Sequence, residues 1–501
     1  VRPKTKTNQP FDILQSGGLN HHNADLGIPL KGPDPRKSLK LRDSGIFKLS
    51  MVDVQQGDGM AVELPSGALV LIDGGENKLF ARHVAKRFRG RGGTVDNPLK
   101  VEAIIVTHGD ADHYAGLNIM RQTEAQPGLE EAKRLFIAPQ RIFHNGLVKA
   151  PTKTPDKKDR LDTDMFGRTL VVDGIPHAVD LYDDPRKAPP HLQNKHFQDW
   201  ADTLNHWNKR VPDMSVDRVA FGDKAKSLES FFAANGVEAE VQGPFTTKLA
   251  DGENTIDGLV FFREPESEAE MHLQGDGKGS FSASHTVNGH SIALHLSVGA
   301  VRISLTGDLN RPSMKLLGAK IPASHLEAEI VKAPHHGSHD FDFAALKAMR
   351  PVVAIVSSGD EKEGNDHIHP RATLMSALGK VMRMNTGVIF TTELAAFFAV
   401  RDYAHTREEL GMYFGKDLEK TYTGKELQAF FKKQKKDWEA PKSFFAMERT
   451  NYGIIHIRTD GSRVLAFTHS GEDNLNEAYV FDVSVVDGKH VVRFRKKADT
   501  A

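Results

Sequence analysis

The sequence predicts an α+β fold in which two β/α layers face each other. Three observations carry that expectation. Each half opens on short apolar segments joined by Gly/Pro turns, the pattern of antiparallel hairpins. The second half then alternates strand-like and helix-like segments. Several of its apolar strands stop at a His or Asp cluster.

Residues 1–44 mix Pro, Gly, Lys, Asn and Asp with little periodicity and read as an extended lead segment. The main folded unit is expected over 45–403. Phe47–Val54, Met60–Leu64 and Ala68–Ile72 read as a strand meander ending at Asp73-Gly-Gly75, and Leu79–Phe88 as a helix. Lys100–Thr107 is a continuous apolar strand, buried on both faces. A helix resumes at Tyr114–Gln122. The polar, charged stretch 140–225, with a helix near Phe197–Lys209, reads as an insertion. Ser227–Asn235 is helical and Val237–Gln242 a strand. Ser291–Ser297 and Ala300–Leu305 form a hairpin. Strands at Glu329–Ala333 and Val352–Ser357 then alternate with helices at Leu309–Leu317, Phe343–Met349 and Arg371–Val381. From 404 to 501 a charged, helical insertion precedes a β-rich extension, with strands at Ile454–Arg458, Val464–Thr468, Tyr479–Val485 and Val491–Arg495.

Composition removes several classes. Lys+Arg and Asp+Glu are each 66, so the chain is not a globally basic nucleic-acid coat. No run nears the ~18 apolar residues of a membrane span. The start, Val1-Arg-Pro-Lys, has no apolar secretory run, so a cytoplasmic location is the expectation. Cysteine is absent, which excludes disulfides, thiolate zinc sites and cysteine nucleophiles. With 24 histidines, imidazole-plus-carboxylate chemistry is the place to look.

The strongest motif is Thr107-His-Gly-Asp-Ala-Asp-His113. Four potential ligands, His108, Asp110, Asp112 and His113, follow a buried strand directly. Such a set suits zinc or manganese, and two ions share so short a turn better than one. Further clusters end later strands: Thr306-Gly-Asp308, Pro334-His-His-Gly-Ser-His339 and Asp366-His-Ile-His369. Those strand ends lie on what would be one sheet edge, so Asp308, His335, His336 and His369 are candidates too. Asp73, ending its own strand, reads either as a turn residue or as a hydrogen-bond partner that orients a ligand histidine. His21, His22 and His144 read as surface histidines, and the three tryptophans as packing residues.

Together, Val54-Gln-Gln-Gly-Asp58, Leu71-Ile-Asp-Gly-Gly75, the 107–116 motif, Leu305-Thr-Gly-Asp308 and Lys332-Ala-Pro-His-His-Gly-Ser338 resemble the metallo-β-lactamase superfamily. Within it they are most similar to the hydrolase domain of ComEC-type competence proteins and its soluble relatives. The resemblance implies an αββα sandwich with insertions and a binuclear site at one edge. It implies that His108 and Asp110 hold one ion, Asp112 and His113 the other, and that Asp308 bridges. The last histidine ligand stays open among His335, His336 and His369, and the ligand near 285–291 is unassigned. Asp110 stands where lactamases and glyoxalases carry His, which makes lactam hydrolysis less expected and favours a harder ion.

The expected function is a metal-dependent phosphodiesterase or nuclease that uses a metal-activated hydroxide. Asp112 and His336 are the expected catalytic residues, with His336 as the proton donor or phosphoryl contact. Ser338 and the basic run at Lys86, Arg87 and Arg89 are expected to contact a phosphodiester, with nucleic acid as a candidate partner. A hydrolase of a thioester, lactone or lactam is the alternative, and a non-catalytic binding module on the same fold the second. The sequence does not specify an oligomeric state.

Overall fold

The computed structural model describes residues 45–126, 128–129, 133–264, 279–359, 369–383, 387–399, 404–405, 422–423, 443–451, 453–469 and 478–495. Its centre is a meander of β1 (Phe47–Met51), β2 (Gly59–Glu63) and β3 (Leu69–Asp73). From β3 the sheet continues through parallel strands β4 (Ala103–Val106), β5 (Arg141–His144) and β6 (Ser215–Arg218). A second sheet runs in the order β7 (Glu238–Gly243), β8 (Ala293–Val298), β9 (Val301–Leu305), β10 (Ile330–Lys332), β11 (Val353–Val356) and β12 (Val388–Thr391). The chain then returns to the first sheet. Strands β13 (Ile454–Thr459), β14 (Arg463–His469), β15 (Ala478–Val486) and β16 (Lys489–Phe494) add to the free side of β1.

Side-chain alternation along each strand, a period of two, builds four layers. Val70 and Ile72 of β3 point into the core between the sheets, where they meet Leu294, Leu296, Ile303 and Ile330 of the second sheet. Leu69 and Leu71, one residue out of phase, face the opposite side. There they pack under α1 (Leu79–Phe88), α2 (Ala111–Glu124) and α3 (Lys195–Arg210) through Phe80, Val84, Leu117 and Trp200. Behind the second sheet, Val331, Ala354 and Val356 pack against α4 (Arg311–Lys320), α5 (Phe343–Met349) and α6 (Ala372–Val381) through Met314, Leu346 and Leu378.

Three readings change. The stretch 140–225 is not wholly an insertion, because β5, β6 and α3 within it are core. Trp200 and Trp207 of α3 are buried, and Tyr114 of α2 rests on Phe197 and Trp200 at ring distances of 5.2 and 5.9 Å. Only Thr169–Val172 and Ile175–Ala178 stand apart, in a small sheet with Thr247–Asp251 and Asn254–Val260. His144 is buried rather than at the surface: its Nδ1 accepts from the Gly146 N–H, and its Nε2 lies 3.0 Å from the Asp183 carbonyl. The apolar run at 100–107 breaks at Glu102 into two strands, because Leu99–Val101 pairs with Ile137–Pro139 instead of the main sheet. The basic segment 432–436, Trp438, His21, His22 and Asp366 lie outside the described residues. Among the described residues no helix is long and apolar enough to cross a membrane.

Gly57 sits in the turn between β1 and β2 at φ +93°, where a Cβ would fall 1.7 Å from the Asp112 carbonyl oxygen. Gly67 has nearly the same φ, +89°, with open space around it. Gly57→Ala therefore carries backbone strain plus a clash, on the order of 3–5 kcal/mol, and Gly67→Ala the strain alone, about 1–2 kcal/mol. Urea unfolding of the two variants measures the difference.

Candidate metal centre

The site forms where strand ends from both sheets meet. β3 ends at Asp73, buried and at φ +56°, so its carboxylate turns back toward the end of β4. It accepts from the Thr107 N–H at 2.8 Å and the Thr107 hydroxyl at 2.7 Å, and its Oδ2 lies 2.8 Å from His113 Nδ1. This fixes the His113 ring and leaves Nε2 on its far side. The 107–113 segment runs straight from β4 into α2, placing Asp112 and His113 in the first turn. A carboxylate there is favoured by the positive end of the helix dipole.

The second sheet supplies the facing half. β9, β10 and β11 are parallel, so their C-terminal ends share one edge. Asp308 follows β9, and His335 and His336 follow β10 in a tight turn at φ +44° and +50°. Asp308 Oδ2 lies 3.2 Å from His113 Nε2 and 2.9 Å from His336 Nε2, and those two nitrogens are 3.2 Å apart. Asp112 Oδ2 is 3.6 Å from His336 Nε2. One atom from each of Asp112, His113, Asp308 and His336 thus lies within 4.8 Å of all the others. Two imidazole nitrogens and two carboxylates aimed at one point leave mutual repulsion or shared protons unless a cation sits among them. The donor set therefore fits a divalent ion, and its nitrogen–oxygen character fits zinc or manganese.

Charge within the site is internally balanced. Burial disfavours ionised Asp308, yet His336, His113 and Lys332 outweigh it and hold the carboxyl well below the usual range. Burial also opposes protonated His336, but Asp308 and Asp58 push it up to about 9. His113 is likewise raised against burial by Asp308, Asp73 and Asp112. His335 goes the other way, down to about 4, because burial dominates. Burial, reinforced by His113, keeps His108 neutral.

The structure brings Asp112, His113, Asp308 and His336 together. His335 is peripheral, with Nε2 3.9 Å from Asp308 Oδ2 and 3.4 Å from Asn288 Nδ2. The convergent histidine of the pair is His336. His369 lies nearby, its ring tilted at 5.7 Å from that of His335 and 6.5 Å from that of His336. His108 is buried with Nδ1 3.2 Å from the Ser291 hydroxyl, while its Nε2 has no hydrogen-bond partner. That orphaned nitrogen fits a second cation position. Asp110 does not join the cluster: Lys149 Nζ holds its Oδ1 at 2.8 Å. In the unassigned 285–291 stretch, Ser291 also accepts from the Asp308 N–H, whereas His290 turns away to the Val260 carbonyl. Ser338 is buried and its hydroxyl accepts from the Asp340 N–H.

The basic run is a correction. Arg87 pairs with Glu63 at the far end of β2, and Arg91 reaches the Gly67 carbonyl in the turn beyond it. Glu63 lies opposite Leu69, four residues or roughly 13 Å back along β3 from Asp73. Lys86, Arg87 and Arg89 are therefore at the opposite edge from the cluster.

Two residues were missed. Asp58 and Lys332 are fully buried and paired at 2.5 Å. Lys332 also donates to the Gly307 carbonyl at 2.7 Å and lies 3.4 Å from Asp308 Oδ1, while Asp58 Oδ1 lies 3.4 Å from His336 Nδ1. The pair thus braces both Asp308 and His336. A lysine closing an otherwise apolar strand was the available signal.

Residues 52–185 match the family model described as Metallo-beta-lactamase superfamily. The match covers about a quarter of the chain, and the four-layer sandwich built around it is a metallo-β-lactamase-like fold. Solved structures similar to the chain include the metallo-beta-lactamase fold protein YhfI from Bacillus subtilis, at 8% identity and TM-score 0.27, covering 70% of this chain and 96% of that one. They also include a long form RNase Z from yeast, at 8% identity and TM-score 0.28, covering 77% of this chain and 44% of that one. A search of curated proteins finds no match.

Lys332→Met removes the lysine charge that both buried Asp58 and buried Asp308 share and should cost about 3–5 kcal/mol. Adding Asp58→Asn should recover part of that loss. Equilibrium denaturation of the single and double variants checks it, and a Lys332→Met chain as stable as wild type would refute the bracing role.

Proposed function

We propose that this chain is a metal-dependent phosphodiesterase or nuclease. The observation that carries the reading is the convergence of Asp112, His113, Asp308 and His336 at the shared strand edge. Divalent ions bound there supply Lewis acidity toward an ester oxygen and draw the pKa of water toward ~7. Asp112, His113, Asp308 and His336 would hold one ion. His108, Asp308 and Asp110 would hold a second, in competition with Lys149. Asp73 keeps His113 turned to the cluster by the hydrogen bond at its Nδ1. Lys332 occupies one oxygen of Asp308, so the other faces the donors. His335, neutral and at the rim, would give its single N–H to a phosphoryl oxygen. Three carboxylates in the ligand set favour hard ions and phosphoryl oxygens over the carbonyl chemistry of an all-histidine site.

Chelator-stripped protein reloaded with zinc or manganese should hydrolyse a phosphodiester reporter and leave thioester and lactam reporters intact. Cleavage of only the latter two would reject the assignment. Asp112→Ala should lower phosphodiester turnover at least a hundredfold, and a fully active variant would reject the metal mechanism. Elemental analysis should give two ions per chain, one lost readily on dialysis. Lys149→Met, which frees Asp110, should tighten that weaker ion.

Proton competition sets the pH dependence. His336, at about 9 in the cation-free chain, and His113, also raised, carry protons near neutrality that an incoming cation must displace. Apparent metal affinity should therefore rise with pH up to about 9, roughly tenfold per unit for each proton displaced, and less steeply once His336 has lost its proton. Titration calorimetry in buffers of different ionisation heat measures the proton count. An affinity independent of pH from 6 to 9 would contradict it.

A further inference from the structure

A lysine reaches the cluster from the loop after β5. That strand runs parallel to β4, so Lys149 leaves the same sheet edge as the 107–113 motif. Its backbone is fixed. Leu147, Val148 and Ala150 are buried, the Asn145 amide donates to the His290 carbonyl at 3.0 Å, and the Lys149 carbonyl accepts from the Asn194 N–H at 2.9 Å. From this anchored loop the ammonium extends to Asp110 Oδ1 at 2.8 Å and to the Ser284 hydroxyl at 3.3 Å. Ser284 belongs to the short helix Ala283–Gly289. One turn on, Asn288 Nδ2 lies 3.4 Å from His335 Nε2. Residues four apart share a helix face, so Lys149 and His335 flank one polar wall of the centre, separated by roughly 6 Å of helix. Two further carboxylates at this helix are engaged elsewhere: Asp162 accepts from the Ala283 N–H and Glu264 from the Ser282 hydroxyl.

Lys149 and Lys332 each hold one oxygen of an aspartate at the centre, yet they differ in access. Lys332 has no exposed surface and a second carboxylate, Asp58, to answer it, so it can only brace. The Lys149 side chain keeps 17% of its surface exposed and pairs with Asp110, itself 23% exposed, so it can touch what enters the cleft. We propose that Lys149 is a substrate-binding residue: when Asp110 turns to the second cation, the Lys149 ammonium passes from its carboxylate to a non-bridging oxygen of the phosphodiester. Only hydrogen bonds are exchanged in this step. An ammonium on a flexible stem is a point charge that can follow such a shift, and its bond to the oxygen strengthens as charge builds there in the transition state. A phosphodiester carries an anionic oxygen for it, whereas a thioester or lactone carbonyl is neutral. One directed ammonium is enough for this contact, and no net positive surface is required. The assignment rests on the phosphodiesterase reading of the centre and names a group that would recognise its substrate.

Titration calorimetry on the full chain, with manganese and inorganic phosphate as probes, tests this. Lys149→Met should bind the weaker ion about threefold tighter or more and bind phosphate about tenfold more weakly, opposite changes that loss of a merely structural lysine would not produce. In wild type, phosphate should tighten the weaker ion, because each draws one partner out of the Lys149–Asp110 pair, and this coupling should shrink in Lys149→Met. Acetate should bind wild type about tenfold more weakly than phosphate. On a small phosphodiester reporter, Lys149→Met should raise KM about tenfold with a smaller change in kcat. The proposal is overturned if Lys149→Met binds phosphate as wild type does, if phosphate leaves the wild-type ion affinity unchanged, or if acetate binds as tightly as phosphate. Weaker ion binding in Lys149→Met also overturns it, since Lys149 would then only brace Asp110. Wild-type turnover of the reporter separates the two claims. Turnover with phosphate binding indifferent to Lys149 removes the contact and leaves the hydrolase. Phosphate binding that depends on Lys149, with no wild-type turnover, removes the hydrolase and leaves the contact.

Discussion

A single buried ammonium organises the centre. Lys332 ends β10 with no exposed surface and meets Asp58 from the first sheet, Asp308 from the second, and the Gly307 carbonyl. A charge so placed is tolerable only when paired and hydrogen-bonded. Pairing it requires the turn after β1 and the end of β9 to lie at fixed positions relative to each other. The ion pair therefore does more than neutralise charge: it locks the register of the two sheets at the edge where the ligand-type side chains gather. Because Lys332 holds one oxygen of Asp308 and Asp58 faces Nδ1 of His336, the atoms left for a cation are Oδ2 and Nε2, which lie 2.9 Å apart.

The two halves use one device twice. In the first sheet, a buried aspartate at a strand end, Asp73, orients a histidine of the next strand's terminus, His113. Across the interface, Asp58 stands toward His336 in the same way. Each histidine thereby has one nitrogen facing a carboxylate and the other facing the cluster, an arrangement that raises ligand basicity. In the cation-free chain the same contacts raise both histidines toward protonation, so basicity toward a cation and competition from protons have a common cause.

Much of this was legible in the sequence, and the reason is locality. The helices at 79–88 and 343–349, the meander at 47–73 and the hairpin around Val298-Gly299 are written in short-range pattern and turn chemistry, and they appear within a few residues of expectation. The ligand-type residues were legible because strand ends are local too, and parallel strands must end on one edge. What the sequence concealed is long-range. Nothing near 141–144, 215–218 or 454–494 says which sheet those strands join, since edge pairing is decided by geometry rather than composition. The tandem His335-His336 is equally opaque. Neighbours in sequence diverge by a full turn of backbone at φ near +50°, so only the fold separates the convergent imidazole from the peripheral one.

The basic residues make the same point about function. Lys86 to Arg91 forms a compact cationic string in the sequence, yet a helix that begins near the β3 end carries it back along the sheet, and Glu63 takes up Arg87 and Arg91 there. In a sheet of parallel strands, proximity to the strand-end cluster is set by how many residues separate a side chain from the last strand position. Arg87 lies fourteen residues past Asp73 with a helix between them, whereas Asp112 and His113 come within seven residues of the end of β4.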